Sequence, residues 1–513
     1  MKSQFSLFLS FCAILFMYFL TMLETICQKT NEFIAQMPKT LRKEYGQFFT
    51  SAETACFMAS LFDLSSLNKN VSILDAGAGS GILAVSMAER ILKQDSSIKV
   101  EVVCYENDPH VLPLLKSNLD LMKKEYKNFS FKVVEENYIV SQRVSFNGNL
   151  FAQKSKKYDL VIGNPPYKKI SKDAPEALAM PVVCHGAPNL YFLFASMGIF
   201  NLKENGQMVY ITPRSWTSGA YFENFRKYLI GNTSLERIHL FESRTDVFDK
   251  ESVLQETMIF KLKKQTKHSS KITISTTNGN SDFSKIHHFE APYDTVVSPL
   301  TNYVYLPANK DNLEVLKKIG SFENTLPSLG MKMKTGLVVD FRVPELLESE
   351  KSENNVPLFY SRHIKEGRVS FPAGIENEFV SNEKQSLLQK NRNYLFVKRF
   401  TSKEEKRRLQ SGIYLKRKFP GYQFISTQNK INFIDGEEEL SECTVYGLYV
   451  LFNSTIYDSY YRILNGSTQV NSTEVNSMPI PNLLQIQEMG RRLIKSKDFS
   501  EENCDEILQE ACA

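Results

Sequence analysis

The sequence predicts an α/β chain: a first half in which strands and helices alternate around an open sheet, then a half in which that alternation is lost. Three observations carry this prediction. An apolar run ends in a glycine loop that opens a helix at residues 71–83. A second run, Val100-Glu101-Val102-Val103-Cys104-Tyr105-Glu106, is a strand that ends in a carboxylate. A third, Tyr158-Asp159-Leu160-Val161-Ile162-Gly163, is a buried strand that runs straight into Asn164-Pro165-Pro166-Tyr167. At 513 residues the chain has room for two or three domains, each with its own core. Apolar content of 42% and charge of 23% are those of an ordinary globular protein.

In Val71-Ser72-Ile73-Leu74-Asp75-Ala76-Gly77-Ala78-Gly79-Ser80-Gly81-Ile82-Leu83, glycines let the backbone turn tightly and pass close to a ligand. The helix that follows presents free N–H groups. Dinucleotide-binding folds use similar loops, so Gly77 and Gly79 alone leave the cofactor open. Asp75, just before the first glycine, suits a cationic amino group better than a pyrophosphate. Glu106 stands at a strand end, where a carboxylate can accept both hydroxyls of a ribose; otherwise it is a surface glutamate. A further strand at residues 131–134 leads into Glu135-Glu136-Asn137-Tyr138-Ile139.

The tetrapeptide Asn164-Pro165-Pro166-Tyr167 follows a strand, where open α/β sheets place their ligands. Two prolines fix two successive φ angles and remove two N–H donors. What remains is a stiff turn with backbone carbonyls, an amide and an aromatic face. It suits a planar group carrying an NH2, held by acceptors against a ring. The plain alternative is a proline-rich turn.

Asn-Pro-Pro-Tyr in this context resembles the catalytic motif of adenine-N6 methyltransferases that use S-adenosylmethionine. The motif order and the long C-terminal half resemble the gamma-class DNA methyltransferases of restriction–modification systems, the TaqI and PstI/BsuBI relatives, over about residues 41–481. The resemblance implies a Rossmann-like S-adenosylmethionine-dependent catalytic domain at 22–264, after a hydrophobic extension at 1–21. A mixed α+β target-recognition domain at 265–513 follows. It also implies that Tyr45-Gly46-Gln47-Phe48-Phe49-Thr50 closes over the methionine part of the cofactor, so Phe49 and Thr50 join Asp75, Gly77, Gly79 and Glu106 as cofactor-binding residues. Here Ser51 stands where the family usually has proline. Asn137 and Tyr138 occupy the place of an Asp-Phe pair that binds the cofactor adenine. Asn164, Pro165, Pro166 and Tyr167 form the catalytic turn, and Phe248 covers the other face of the base.

Adenine's exocyclic nitrogen is a poor nucleophile because its lone pair is delocalised. The Asn164 side-chain oxygen and the Pro165 carbonyl can each accept one of its hydrogens, so catalysis is positioning and electrostatics. No general base and no metal is implied. The base must leave the duplex to reach such a pocket, at a cost of a few kcal/mol. The expected partners are double-stranded DNA carrying a short specific sequence and, separately, a cognate restriction endonuclease. An RNA or protein-glutamine methyltransferase could use the same turn, but such enzymes are typically small. A methylase fused to a nuclease would need a nuclease carboxylate cluster, and the sequence shows none. A DNA-binding protein with a decayed pocket would not need the intact glycine loop and tetrapeptide that stand here.

Residues 265–270 read as a polar linker. Beyond it, Lys334-Thr335-Gly336-Leu337-Val338-Val339-Asp340-Phe341-Arg342 resembles a segment of the PstI/BsuBI relatives, and residues 446–464 read as one helix. Between Lys390 and Lys418 stand eleven Lys or Arg against two Glu, interleaved with Tyr394, Phe396, Phe400, Tyr414 and Phe419. Beside a base-modifying centre this predicts a phosphate-tracking surface. The eight cysteines are scattered, none in a Cys-x-x-Cys pair, which fits a reduced, cytoplasmic chain. Residues 5–20 carry no charge and admit an upstream extension, an export or membrane segment, or a packed helix. An amphipathic helix begins near Met22.

Overall fold

Runs rich in β-branched and apolar residues build nine strands into a single sheet: β1 (Asn70–Ala76), β2 (Lys99–Tyr105), β3 (Phe129–Val134), β4 (Tyr158–Gly163), β5 (Leu202–Pro213), β6 (Ser234–Phe241), β7 (Thr257–Lys263), β8 (Lys271–Thr277) and β9 (His287–Pro292). The structure, a computed structural model, describes residues 20–38, 40, 49–148, 155–241, 256–279, 283–401, 405–465 and 468–512. The charge-free stretch at the N-terminus (save Leu20), the Tyr45–Phe48 part of the closing segment, and Phe248 lie outside these residues. Among the described residues, no helix is long and apolar enough to cross a membrane.

Strand order is β3-β2-β1-β4-β5-β7-β6-β8-β9. The first five run parallel, and β7 pairs antiparallel with both β5 and β6. One face is covered by α1 (Leu20–Gln36), α2 (Ala52–Ser60), α3 (Ile82–Gln94) and α4 (Leu112–Glu125). Their apolar sides meet Ile73, Val102, Leu160, Ile162 and Val209 in one core. Side chains alternate across a strand, so Val161 and Met208 face the other way, onto α5 (Leu190–Asn201), where Gly198 lets helix and sheet approach closely. Ser51 caps α2 by accepting a hydrogen bond from the Thr54 N–H at 3.2 Å.

The chain forms two compact units, and the division falls between Tyr303 and Val304, with Ser218–Ala220 counted in the second. This corrects the boundary expected after residue 264. The polar stretch 265–270 only connects β7 to β8, and β8 pairs parallel with β6 in the same sheet. The reason is visible in Lys271-Ile272-Thr273-Ile274: alternate residues of β8 are buried, a half-buried strand whose polar side disguises it.

The second unit contains a six-stranded and a five-stranded sheet. Its C-terminal part is helical. The single helix expected over 446–464 is two, Glu442–Asn453 and Thr455–Leu464, interrupted at Ser454. The basic, aromatic-rich run is also reassigned. Tyr394, Phe396 and Tyr414 are core residues, and Phe419 stacks on Tyr414 with ring centroids 4.7 Å apart. Arg408 is fully buried, Arg407 pairs with Glu501, and Arg417 with Glu442. The period-2 pattern of a strand places these aromatics inside, so much of the positive charge serves the fold.

Candidate active site

The strand order reverses between β1 and β4, which are neighbours in the sheet although β2 and β3 intervene in the chain. Open α/β sheets have their ligand crevice at such a point, beyond the carboxyl ends of the strands. The glycine loop leaves β1 here and the proline turn leaves β4.

In the glycine loop, Gly77, Gly79 and Gly81 all have positive φ, at 72°, 54° and 79°. A Cβ on Gly81 would stand 2.7 Å from Leu115 of α4, closer than packing allows. A Cβ on Gly77 would meet Phe194 at 3.4 Å and Pro166 at 3.7 Å, and one on Gly79 would meet the Phe49 ring at 3.5 Å. The bare backbone is therefore bordered by two aromatic rings and by the proline turn. The N–H groups of Gly77 and Ala78 both donate to the Tyr105 carbonyl, at 2.8 and 3.0 Å. Gly79 N–H donates to Glu106 Oε2 at 2.9 Å. The other Glu106 oxygen accepts from Asn107 and Asp108 N–H at 2.9 and 3.0 Å.

Asp75 has no exposed surface. Its Oδ2 accepts from Ala84 N–H in the first turn of α3 at 3.2 Å, and its Oδ1 has no hydrogen-bond partner among the described residues. Burial pushes its carboxyl up to about 7 despite that bond, with Glu106 adding to the rise. Burial likewise raises Glu106 above the usual carboxylate range, against the pull of its three N–H donors.

In the proline turn, Asn164 is partly exposed and Pro165 is buried. The Tyr167 hydroxyl lies 2.9 Å from Asn164 Oδ1 and 3.3 Å from the Ile211 carbonyl. Asn164 Nδ2 donates to Thr50 Oγ1 at 3.2 Å. Burial raises the Tyr167 hydroxyl, so it stays a neutral donor. The Tyr167 ring meets Tyr191 edge-on at 6.2 Å. Gly163, which ends β4, lies against Tyr210, where a Cβ would come within 2.9 Å of the ring.

The structure thus brings together Phe49, Thr50, Gly77, Gly79, Glu106 and the Asn164–Tyr167 turn. Asp75 is enclosed in this structure: one carboxylate oxygen braces the first turn of α3, and the other is buried without a partner among the described residues. Asn137 is also engaged elsewhere. Its oxygen caps a short helix by accepting from Ile139 and Val140 N–H, both at 3.1 Å, and its Nδ2 donates to Glu176 at 2.7 Å. Tyr138 is buried, packed against Tyr105 and Phe194 with its hydroxyl donating to Asn201 at 2.8 Å. Sequence reasoning assigned no chemistry to Phe194. Its signal is faint: it is the one partly exposed residue within an otherwise buried apolar stretch, 191–199, of α5. The Thr50–Asn164 bond joins residues far apart in the chain and has no sequence signal. The donor set fits a nucleoside-bearing cofactor: an open glycine backbone that a Cβ would obstruct, flanking rings and a strand-end carboxylate.

Fold and site together define a Rossmann-like methyltransferase domain joined to a mixed α+β unit. The family model for the Eco57I restriction-modification methylase matches residues 14–248. The Type II methyltransferase M.BsuBI of Bacillus subtilis is 34% identical over 478 residues, covering 91% of this chain and 94% of that protein. M.PstI of Providencia stuartii is 33% identical over 489 residues, covering 93% and 94%. The chain belongs to the Type II methyltransferases of restriction–modification systems. It is a DNA methyltransferase, and its cofactor is S-adenosylmethionine. At the level of fold alone it is similar to MmeI, a Type IIL restriction-modification enzyme solved in complex with DNA. That match has a TM-score of 0.50 and 13% identity, covering 96% of this chain and 73% of that one. The DrdV–DNA complex is similar with a TM-score of 0.51 and 12% identity, covering 92% and 59%.

Proposed function

We propose that this chain is a site-specific adenine-N6 methyltransferase. In this reading it acts on an adenine flipped out of double-stranded DNA, as the modification partner of a separate restriction endonuclease in the cytoplasm. The observation that carries the reading is the proximity of the two strand-end reversals: a Cβ on Gly77 of the glycine loop would stand 3.7 Å from Pro166 of the Asn164–Tyr167 turn. An amine held at one would face a methyl donor held at the other.

Asn164 Oδ1 and the Pro165 carbonyl each take one hydrogen of the amine. This opposes delocalisation of the nitrogen lone pair and aims it toward the glycine loop. Asn164 Oδ1 has two lone pairs, so the Tyr167 hydroxyl does not exhaust it. Tyr167 stacks on one face of the base, and Phe248 closes the other. When bound, S-adenosylmethionine supplies an electrophilic methyl group; Phe49, Gly77, Gly79, Glu106 and Phe194 would hold it. The amine's proton leaves to solvent once the new bond has formed, so no residue need act as base. The second unit selects the sequence. Supporting this, Phe341 is 75% exposed with the Arg342 guanidinium 5.7 Å from its ring, and Lys390, Lys416 and Lys418 remain exposed for phosphate contacts.

Asn164→Ala tests the reading directly. Single-turnover transfer to DNA should fall by about 10³-fold, while S-adenosylmethionine titration stays near the parent affinity. Undiminished transfer overturns the assignment of Asn164. Mapping modified bases in DNA from cells expressing the chain should show N6-methyladenine at one short sequence. Methylated cytosine there would overturn the choice of base.

A further inference from the structure

We propose that Thr50 is a positioning residue for the transfer step: its side chain anchors the Asn164 amide through the end that does not meet the base. The inference rests on the role of Asn164 given above and reassigns Thr50, which family resemblance places against the cofactor.

An asparagine side chain ends in a torsion with broad, roughly two-fold preferences. Nothing intrinsic holds its oxygen at one point in space. An acceptor that works by geometry needs its other end tied down, because small displacements at a reacting centre are costly in rate. Here Nδ2 donates to Thr50 Oγ1 at 3.2 Å, leaving Oδ1 at the opposite end, near the Tyr167 hydroxyl.

Thr50 and Tyr167 differ in kind as partners of this amide. Tyr167 is partly exposed and, in the proposed reaction, must lie along the face of the base, so its hydroxyl is not a dependable anchor. Thr50 is 8% exposed. On its N-terminal side the Phe49 ring rests against Gly79 and meets Phe33 edge-on at 6.3 Å. On its C-terminal side Ser51 caps α2, whose buried residues belong to the main core. A threonine is also stiff about χ1, so its hydroxyl inherits the fixity of its backbone. The dipeptide therefore reaches both partners of the reaction: Phe49 borders the glycine loop, while Thr50 holds the acceptor.

The test compares Thr50→Val, which keeps the shape and removes the hydroxyl, with Thr50→Ser, which keeps the hydroxyl, both in the full chain. Thr50→Val should lower kcat by roughly 10- to 100-fold, the consequence of removing the hydroxyl that holds Asn164 Nδ2 in place. The S-adenosylmethionine Kd and the KM for DNA should stay near parent values, and Thr50→Ser should recover most of the rate. Parent-level kcat in Thr50→Val overturns the inference. So does a rise in cofactor Kd with kcat at saturation preserved, since that makes Thr50 a cofactor contact alone. Asn164→Ala run in the same assay separates the two readings. If it retains activity, the role of Asn164 fails; if it is inactive while Thr50→Val matches the parent, only the Thr50 inference fails.

Discussion

The loop after β1 and the turn after β4 touch each other, yet they deploy their side chains in opposite ways. After β1 the polar side chains turn inward onto the backbone. Asp75 holds Ala84, and Glu106, just past β2, reaches across to Gly79 while holding Asn107 and Asp108. After β4 the backbone is stiffened by Pro165 and Pro166, and Asn164 and Tyr167 stay partly exposed, with Asn164 hydrogen-bonded to Tyr167 and anchored by Thr50. A glycine loop needs its backbone shaped, so side chains become struts. A turn that presents a side-chain oxygen needs its backbone immobile, so prolines replace struts. Substitutions in the two regions should therefore register in different measurements.

The largest expected effect lies in the turn and is one of rate. Asn164→Ala, with its roughly 10³-fold loss of transfer, should change unfolding stability by less than about 1 kcal/mol, because the residue is partly exposed and caps nothing. The loop should behave in reverse. Gly81→Ala places a Cβ at φ 79° and 2.7 Å from Leu115. Left-handed strain and overpacking each cost about 1–3 kcal/mol, so urea unfolding should show a loss of about 3 kcal/mol. A Gly81→Ala protein as stable as the parent, or an Asn164→Ala protein that unfolds early, would dissolve the distinction.

Sequence alone located both regions because each depends on residues with unusual backbone properties. Glycine at positive φ and paired prolines are legible without coordinates, and so are the apolar strands that precede them. The direction in which a polar side chain turns is not. Asp75, Glu106 and Asn137 each sit at a strand end, where a carboxylate or amide can serve a ligand or the chain's own N–H groups equally well. Only tertiary placement decides, and in this structure Asp75 and Asn137 bond to the chain's own N–H groups. Tyr138 was lost to the core because an aromatic ring beside other rings gains more by burial than by exposure. In the second unit, the lysines and arginines around Tyr394 and Phe396 suggested a surface, whereas those rings are core. The strands β8 and β9, at one end of the sheet, were hidden by their polar faces.

The smallest expected effect tests the strut most distant from solvent. The buried Asp75 carboxyl is pushed up to about 7, above its usual value of about 4 in an unfolded chain. A raised folded value means that the stability linked to the proton is fully present below about pH 4. It is lost progressively as pH rises through 7, because the unfolded state releases the proton first. Asn at position 75 cannot ionise and can still accept from Ala84 N–H, so Asp75→Asn should lack this term. Between pH 5 and pH 7 the parent should lose about 2 kcal/mol relative to the variant in urea unfolding. If the two pH profiles ran parallel, Asp75 would have a compensating partner or contact with water, and its place among the loop's struts would pass to Glu106 alone. Transfer by Asp75→Asn should stay near the parent rate at pH 7, since no ligand atom need touch the carboxylate. A loss of cofactor affinity as large as the shift in stability would return Asp75 to the binding surface that the sequence first suggested.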